Sequence, residues 1–294
     1  MLKDNHTKIF HLVVFGRPNS GKSTLINSLL NQKVAITSPR PQTTRLNRSF
    51  LYQSELGQFT ISDTPGILGK VSDTLGKAIN KQPQKELSTA DLVIYLVDIS
   101  RPKGDEETKI LGLVRKATCP KLLVYNKIDK AIDSKNYLTE FNFLEDEVDD
   151  VIAISALKTT HIKALLTKIF QLLPKIAQKL ASTSTPNSPL LDINSEDYLA
   201  DLIREKAFLK LRKEVPYTVN VKIDSVESSD NLIKVYATIE TTADKYKKMI
   251  IGKGGLMIKT IGTMARKELE LISQKKVFLG LNVVTNKHWQ EAYI

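Results

Sequence analysis

The sequence predicts an α/β domain, a mostly parallel sheet with helices on both faces, followed by a smaller α+β domain. Three observations carry that expectation. From Lys8 to about Pro174, short near-continuous runs of Val, Ile and Leu alternate with longer stretches of helical spacing, the βαβ pattern of a buried parallel sheet. A glycine-rich string, Gly16 to Ser23, follows the first run directly and opens a helix-patterned stretch. Between Gln178 and Pro189, five Ser/Thr, two Pro and one Asn in twelve residues make a segment that cannot build a core, and hence a linker. A length of 294 residues fits two domains at roughly 150 each. The boundaries are placed at 1–175, 176–195 and 196–294.

The strand candidates of the first domain are His11–Gly16, Phe59–Asp63, Asp91–Asp98, Lys121–Lys127 and Asp150–Ser155. Leu25–Leu30, Thr108–Lys116 and Ile162–Leu173 carry apolar residues at helical spacing, and the interval between the second and third strands leaves room for crossover helices. In the second domain, Glu196–Lys213 is a helix with Leu199, Ile203, Ala207 and Leu211 on one stripe. Tyr217–Asp224 and Asn231–Glu240 alternate as half-buried antiparallel strands joined through a polar turn, SVESSD. A short helix over Asp244–Ile251, the turn GKGG, a helix over Leu256–Ser273 and a strand over Val277–Val284 complete an α-β-β-α-α-β order.

Composition bounds the setting. Forty-three Lys and Arg against 32 Asp and Glu give a formal charge of +11, which points to an acidic partner, nucleic acid or an anionic membrane surface. A single cysteine, Cys119, cannot form an internal disulfide and fits a reducing compartment. The longest apolar runs, such as Leu92–Val97, fall far short of the ~20 residues that span a bilayer. Asp4, His6 and Lys8 interrupt any signal-peptide core at the start. A soluble cytoplasmic protein is expected.

Gly16-Arg17-Pro18-Asn19-Ser20-Gly21-Lys22-Ser23 matches GxxxxGK[ST]. That chemistry needs glycines so that backbone N–H groups can curl round phosphate oxygens at a helix N-terminus. It needs Lys22 as the cation on the β- and γ-phosphates, and Ser23 as a Mg²⁺ ligand. Thr24 continues the loop into the helix. Asp63-Thr-Pro-Gly66 ends another apolar strand: Asp63 can hold Mg²⁺ through water, and the Gly66 amide can face a γ-phosphate. Asn126-Lys127-Ile-Asp129 resembles the guanine-reading element of GTPases, in which the Asp carboxylate accepts from the guanine N1–H and 2-amino groups. In that pattern Asn126 secures the loop and the Lys127 stem covers the base. Ser155-Ala156 resembles the last guanine element, whose Ala amide meets O6. Four such elements in order, each at a strand end, predict a GTPase.

Three details bear on mechanism. Position 67 is Ile, where Ras-like GTPases place the Gln that orients the attacking water; whether Ile67 removes that route or merely packs in the loop, slow intrinsic hydrolysis is expected. Asn19 resembles the Asn that helps bind K⁺ in some GTPases, and a K⁺ beside the phosphates would stabilise developing charge. The polar loop Pro39–Arg45 is where a switch threonine should close on Mg²⁺; Thr44 is chosen by resemblance and Thr43 is the other candidate, the residues alone not deciding.

In the second domain, Ile251-Gly252-Lys253-Gly254-Gly255 joins two helices. A GxxG turn lets a single-stranded RNA backbone approach where a Cβ would clash. Nine basic residues between Lys245 and Lys276, among them Lys248, Lys253, Lys259 and Arg266, face only Glu268 and Glu270. The element order with this turn resembles a type II KH domain. His161, His288 and Cys119 suggest no metal site, and Trp289 is expected to pack.

GRPNSGKSTLINSLL, QTTR, DTPG, NKID and ISA, then REKAFLKLRKEVPY and MIIGKGGLMIKTIGTMARKELE, together resemble the Era family of GTPases. The resemblance covers nearly the whole chain. It implies a P-loop GTPase domain that binds GTP or GDP with Mg²⁺, joined to a KH domain that binds the 3′ end of 16S ribosomal RNA in assembly of the 30S subunit. A monomer with peripheral inner-membrane association and no transmembrane segment is the accompanying expectation. Two departures stand out: Ile67–Asn80 lacks the IH that often follows DTPG, and the region LLDINSEDYLADLIREK is altered. Rival readings are a nucleotide-stabilised RNA-binding scaffold without turnover and a membrane-surface GTPase.

Overall fold

The computed structural model describes residues 9–40, 43–67, 74–131, 137–173 and 195–293. The chain divides into two compact units, Met1–Ala35 with Thr44–Leu190 and Ile36–Thr43 with Leu191–Ile294. The linker expected over 176–195 lies, apart from Ser195, outside the described residues, as does the 68–73 part of the stretch after DTPG.

In the first unit a six-stranded sheet has the order β2-β3-β1-β4-β5-β6, with β1 at Phe10–Phe15, β2 at Arg48–Ser54, β3 at Gly57–Asp63, β4 at Leu92–Asp98, β5 at Lys121–Asn126 and β6 at Asp150–Ile154. Every neighbouring pair is parallel except the β2–β3 hairpin at the edge. Strands β1, β4 and β5 are apolar runs because both faces are covered; all seven residues of β4 are buried. The helices are α1 (Lys22–Leu30), α2 (Thr74–Leu87), α3 (Asp105–Val114), a single turn α4 (Ile128–Ala131) and α5 (Ile162–Leu172). On one face Val13, Phe15, Val93, Tyr95 and Leu123 pack against Ile110 and Val114 of α3 and against Phe141 and Leu144. Those last two sit in a 3₁₀ segment, Leu138–Glu147, whose i, i+3 spacing turns both side chains inward.

Strand β2 was not among the sequence expectations. Only Tyr52 in RSFLYQS is buried, so the strand has little apolar signal; it is held at the sheet edge by Tyr52 stacking on Phe59 at 4.6 Å.

The second unit follows the expected α-β-β-α-α-β order: α6 (Glu196–Lys210), β7 (Val219–Ser228), β8 (Leu232–Thr241), α7 (Asp244–Ile251), α8 (Leu256–Ser273) and β9 (Lys276–Thr285). Its sheet runs β7-β8-β9, antiparallel in the first pair and parallel in the second. The helix ends at Lys210 rather than Lys213, and most of the expected SVESSD turn is strand, since β7 continues to Ser228 and pairs it with Ile233. Burial alternates along β8, so one face carries the core (Ile233, Val235, Ala237, Ile239) and the other is open. Trp289 is buried and donates Nε1–H to the Thr218 carbonyl at 3.0 Å, a packing role.

Candidate functional site

All the expected nucleotide-site residues lie at one end of the large sheet, beyond the carboxyl ends of β1, β3, β4, β5 and β6, where open parallel sheets bind ligands. The loop from Gly16 to Gly21 connects β1 to the N-terminus of α1. Lys22 sits at that terminus, buried, with Nζ donating to the Gly16 and Arg17 carbonyls at 3.0 Å each. Burial pushes its pKa down from 10.5 to about 8, against the partly compensating charge of Asp63. Asn19 takes the left-handed conformation, φ 62°, that folds the loop back on itself. Arg17 turns its side chain away from the loop, towards the Pro102 carbonyl (2.9 Å), Glu106 and Glu107. Thr24 lies half-buried in the first turn of α1.

Three oxygens converge beside Lys22. Ser23 Oγ donates to Asp63 Oδ2 at 2.6 Å, Thr44 Oγ1 donates to the same oxygen at 3.2 Å, and the two hydroxyls are 3.3 Å apart. A carboxylate with two hydroxyls is the hard-oxygen set that Mg²⁺ prefers. Thr43 points elsewhere, its hydroxyl bonded to the Arg40 carbonyl (2.8 Å) and Ser38 Oγ (2.6 Å). Gly66 approaches the phosphate loop so closely that a Cβ there would lie 2.6 Å from both N and Cα of Pro18. A side chain at 66 would push the two loops apart. Ile67 next to it is buried against the Val13–Phe15 core.

The base end is equally connected. Asn126 Nδ2 donates to the Ser20 carbonyl (2.8 Å) while its Oδ1 accepts from the Ala156 amide (3.0 Å), joining the phosphate loop to the Ser155-Ala156 loop. Lys127, also left-handed (φ 70°), donates Nζ to the Asn19 carbonyl at 2.7 Å. Asp129 accepts from Ser155 Oγ at 2.5 Å. Two residues outside the motifs join this network. Asp98, at the end of β4, accepts from Lys127 Nζ (2.6 Å) and pairs with Arg101 Nε (3.2 Å); Arg101 Nη2 donates to the Pro18 carbonyl (2.8 Å). The available signal was positional: Asp98 closes an apolar strand run just as Asp63 does.

In the second unit, the GKGG turn places Gly252, Gly254 and Gly255 at φ 74°, 58° and 76°. A Cβ on Gly252 would meet Met257 Cβ at 2.7 Å, so glycine is required for the turn to close on α8. Gly254 and Gly255 face open space instead, leaving backbone accessible beside the exposed Lys253. Behind the turn, a groove of about 310 Å³ lies between α8 and β9. Ile258, Leu279 and Leu281 give it an apolar floor, with Lys259 and Arg266 at its rim. Gly262 allows the helix to approach, since a Cβ there would stand 3.2 Å from Leu281 Cδ1. Ile251 is half-buried at the end of α7, and Lys248 is exposed on that helix without lining the groove. An apolar floor with cationic edges suits unstacked bases and their phosphates.

A family model described as a 50S ribosome-binding GTPase matches residues 11–127, and a KH-domain model matches residues 214–289. The GTPase Era of Halothermothrix orenii is 39% identical over 279 residues, covering 95% of this chain and 93% of that protein. The chain belongs to the Era family of GTPases. A second Era, from Deinococcus radiodurans, is 35% identical over 294 residues, 99% of this chain and 94% of that one. Among solved structures, an Aquifex aeolicus Era variant bound to GDP·AlF4⁻ superposes with a TM-score of 0.85 at 31% identity, covering 97% of each chain. An Era in complex with MgGDPNP and nucleotides 1506–1542 of 16S ribosomal RNA gives the same score and identity over 98% of this chain and 97% of that one.

As an Era family member the protein is a GTPase whose cofactors are guanine nucleotide and Mg²⁺. The residues present fit that ligand. The hydroxyls of Ser23 and Thr44 crowd one carboxylate oxygen, an arrangement a divalent cation would satisfy. No helix among the described residues is long and apolar enough to cross a membrane.

Proposed function

We propose that the protein is a GTP-driven switch that binds the 3′ region of 16S ribosomal RNA through its KH groove and acts in assembly of the 30S subunit. The observation that carries this reading is that both sites occur in one chain whose whole length matches an Era holding MgGDPNP and that RNA segment together. In this reading the loop Gly16–Ser23 cups the phosphates, with Lys22 as the cation. Ser23, Thr44 and Asp63, the last through water, hold Mg²⁺, and the Gly66 amide faces the γ-phosphate. Asn126, Lys127, Asp129, Ser155 and Ala156 read guanine. Support for Thr44 over Thr43 comes from the distances: only the Thr44 hydroxyl stands within 3.3 Å of Ser23 Oγ. Bound nucleotide supplies a γ-phosphate whose loss releases Thr44 and Gly66 from their ligands.

The chain's own groups give a slow hydrolase. Ile67 is an aliphatic side chain turned into the core, so no Gln-type water carrier stands at that position. Asn19, in the left-handed turn of the phosphate loop, is the residue offered to K⁺, whose added charge would raise the rate. Multiple-turnover phosphate release with and without K⁺ tests both points; absence of turnover under every condition would favour the scaffold reading.

RNA binding follows from the groove: bases lie on Ile258, Leu279 and Leu281, while Lys253, Lys259 and Arg266 meet phosphates and the open Gly254–Gly255 backbone admits the strand. Peripheral contact of the same basic surface with an anionic cytoplasmic membrane face is a separate consequence of the charge. Crosslinking in cells with mapping of the bound RNA tests the assignment, with Gly254→Asp as control: a Cβ there meets no atom within 4 Å, and Asp adopts the left-handed φ of 58° more readily than most side chains. Enrichment of the 3′ end of 16S ribosomal RNA, lost in the control, is expected. No enrichment over the control, with strong sedimentation on anionic vesicles, would replace the ribosomal reading by the membrane one.

A further inference from the structure

Five consecutive carbonyls of the phosphate loop accept from side-chain donors. Gly16 and Arg17 share Lys22, at 3.0 Å each; Pro18 takes Arg101 Nη2 at 2.8 Å; Asn19 takes Lys127 Nζ at 2.7 Å; Ser20 takes Asn126 Nδ2 at 2.8 Å. With the Pro18 and Ser20 carbonyls fixed by Arg101 and Asn126, the rigid peptide planes turn the Asn19 and Gly21 N–H groups to the opposite side, where phosphate oxygens belong, while the Ser20 N–H closes the turn on the Arg17 carbonyl at 3.1 Å. Three of these donors are cations, and two of them, Arg101 and Lys127, repel each other beside Asp98. Asp98 stands between them, 2% exposed, with Oδ2 within 2.6 Å of Lys127 Nζ and 3.2 Å of Arg101 Nε. Its other oxygen accepts from Ser100 N (3.0 Å) and Ser100 Oγ (2.6 Å), which fixes the carboxylate plane. Burial raises the Asp98 pKa, but the bonds from Lys127 and Ser100 more than offset it and the carboxyl titrates below its ordinary range.

We infer that Asp98 and Arg101 are positioning residues for GTP binding: the Asp98–Arg101 pair holds the Pro18 peptide outward and so keeps the phosphate loop in its anion-binding form before nucleotide arrives. The inference rests on the phosphate-loop reading above and extends it to two residues outside the sequence motifs. The lost interaction is a charge-assisted hydrogen bond to a backbone carbonyl. Its removal lets the nucleotide-free loop populate other forms, and apparent affinity falls in proportion to the competent fraction.

The test measures GDP dissociation constants, steady-state hydrolysis and amide exchange of residues 16–22 in the full chain for Arg101→Met, Arg101→Lys and Asp98→Asn, with Lys22→Ala alongside. Arg101→Met and Asp98→Asn are expected to weaken GDP binding about tenfold, to raise KM for GTP by a similar factor, and to speed amide exchange in the nucleotide-free loop. kcat at saturating GTP should fall less than about threefold, because bound nucleotide itself reforms the loop. Arg101→Lys, which keeps a cation on the same side of Asp98, should recover part of the affinity. A GDP dissociation constant within about twofold of wild type in the folded Arg101→Met and Asp98→Asn proteins would overturn the inference. So would a loss confined to kcat, which would place Arg101 in the chemistry instead. Wild-type binding by Lys22→Ala would overturn the phosphate-loop reading itself, a separate failure.

Discussion

Lys22 links burial to nucleotide affinity in a way that pH can read out. In the nucleotide-free protein its ammonium is buried between the Gly16 and Arg17 carbonyls, and its pKa is pushed down from 10.5 to about 8. Only the protonated form attracts phosphate, and bound phosphate charges return the pKa to its ordinary range or above. Binding above pH 8 must therefore take up a proton. Affinity should be flat below about pH 7.5 and fall towards tenfold per pH unit above 8, about 1.4 kcal/mol for each tenfold. Between pH 7 and 9 that amounts to a loss of roughly tenfold in affinity for GDP, with about 0.9 proton taken up at pH 9 and about 0.1 at pH 7. Calorimetry in two buffers of different ionisation enthalpy gives the proton count, and competition binding gives the affinities. Lys22→Met, measured at the higher protein concentration its weaker binding requires, should lose this part of the slope. Proton uptake that stays near zero at pH 9, or a slope that survives in Lys22→Met, would refute the assignment of the perturbed group to the phosphate site.

Asp129→Asn should weaken GTP binding by at least about 100-fold, since two hydrogen bonds to a charged acceptor are worth ~1.5–3 kcal/mol each, and should raise affinity for xanthosine triphosphate, whose 2-oxo group can accept from the new amide; competition binding with both nucleotides checks it. Ile67→Gln places an unpartnered amide among Val13, Phe15 and Ile110, so urea unfolding should show a loss of about 2 kcal/mol, and phosphate release should not rise. Lys253→Ala, on the exposed turn, should weaken RNA binding equally for all sequences and reduce the slope of log affinity against log salt by about one.

How much of this could be read in the chain follows from what each feature demands of its residues. The phosphate loop was legible because an anion-binding turn at a helix N-terminus requires glycine and lysine at fixed spacing. Strands β1 and β4 announced themselves as apolar runs, and β8 by strict alternation. β2 did not, because an edge strand with one buried side chain needs no apolar pattern. The 3₁₀ segment over Leu138–Glu147 carries no such signal, because two inward side chains, Phe141 and Leu144, give no period to count. At the site, the motifs supplied the residues that meet the ligand but left Thr43 and Thr44 undecided, since both are hydroxyls and only the path of the loop separates them. Asp98 and Arg101 belong to no spacing rule: they act through single contacts to Lys127 and Pro18 that exist only once β4 lies between β5 and β1.

Coupling between nucleotide and RNA is the central claim, and it requires that RNA affinity differ between nucleotide states. The direct measurement is the dissociation constant for an oligonucleotide of the 16S ribosomal RNA 3′ region, taken on the full chain with Mg²⁺ and either GDP or a non-hydrolysable GTP analogue. At least about fivefold tighter binding with the analogue, lost in Gly254→Asp, is the expected result. Equal affinity in the two states would contradict the switch while leaving both binding sites standing.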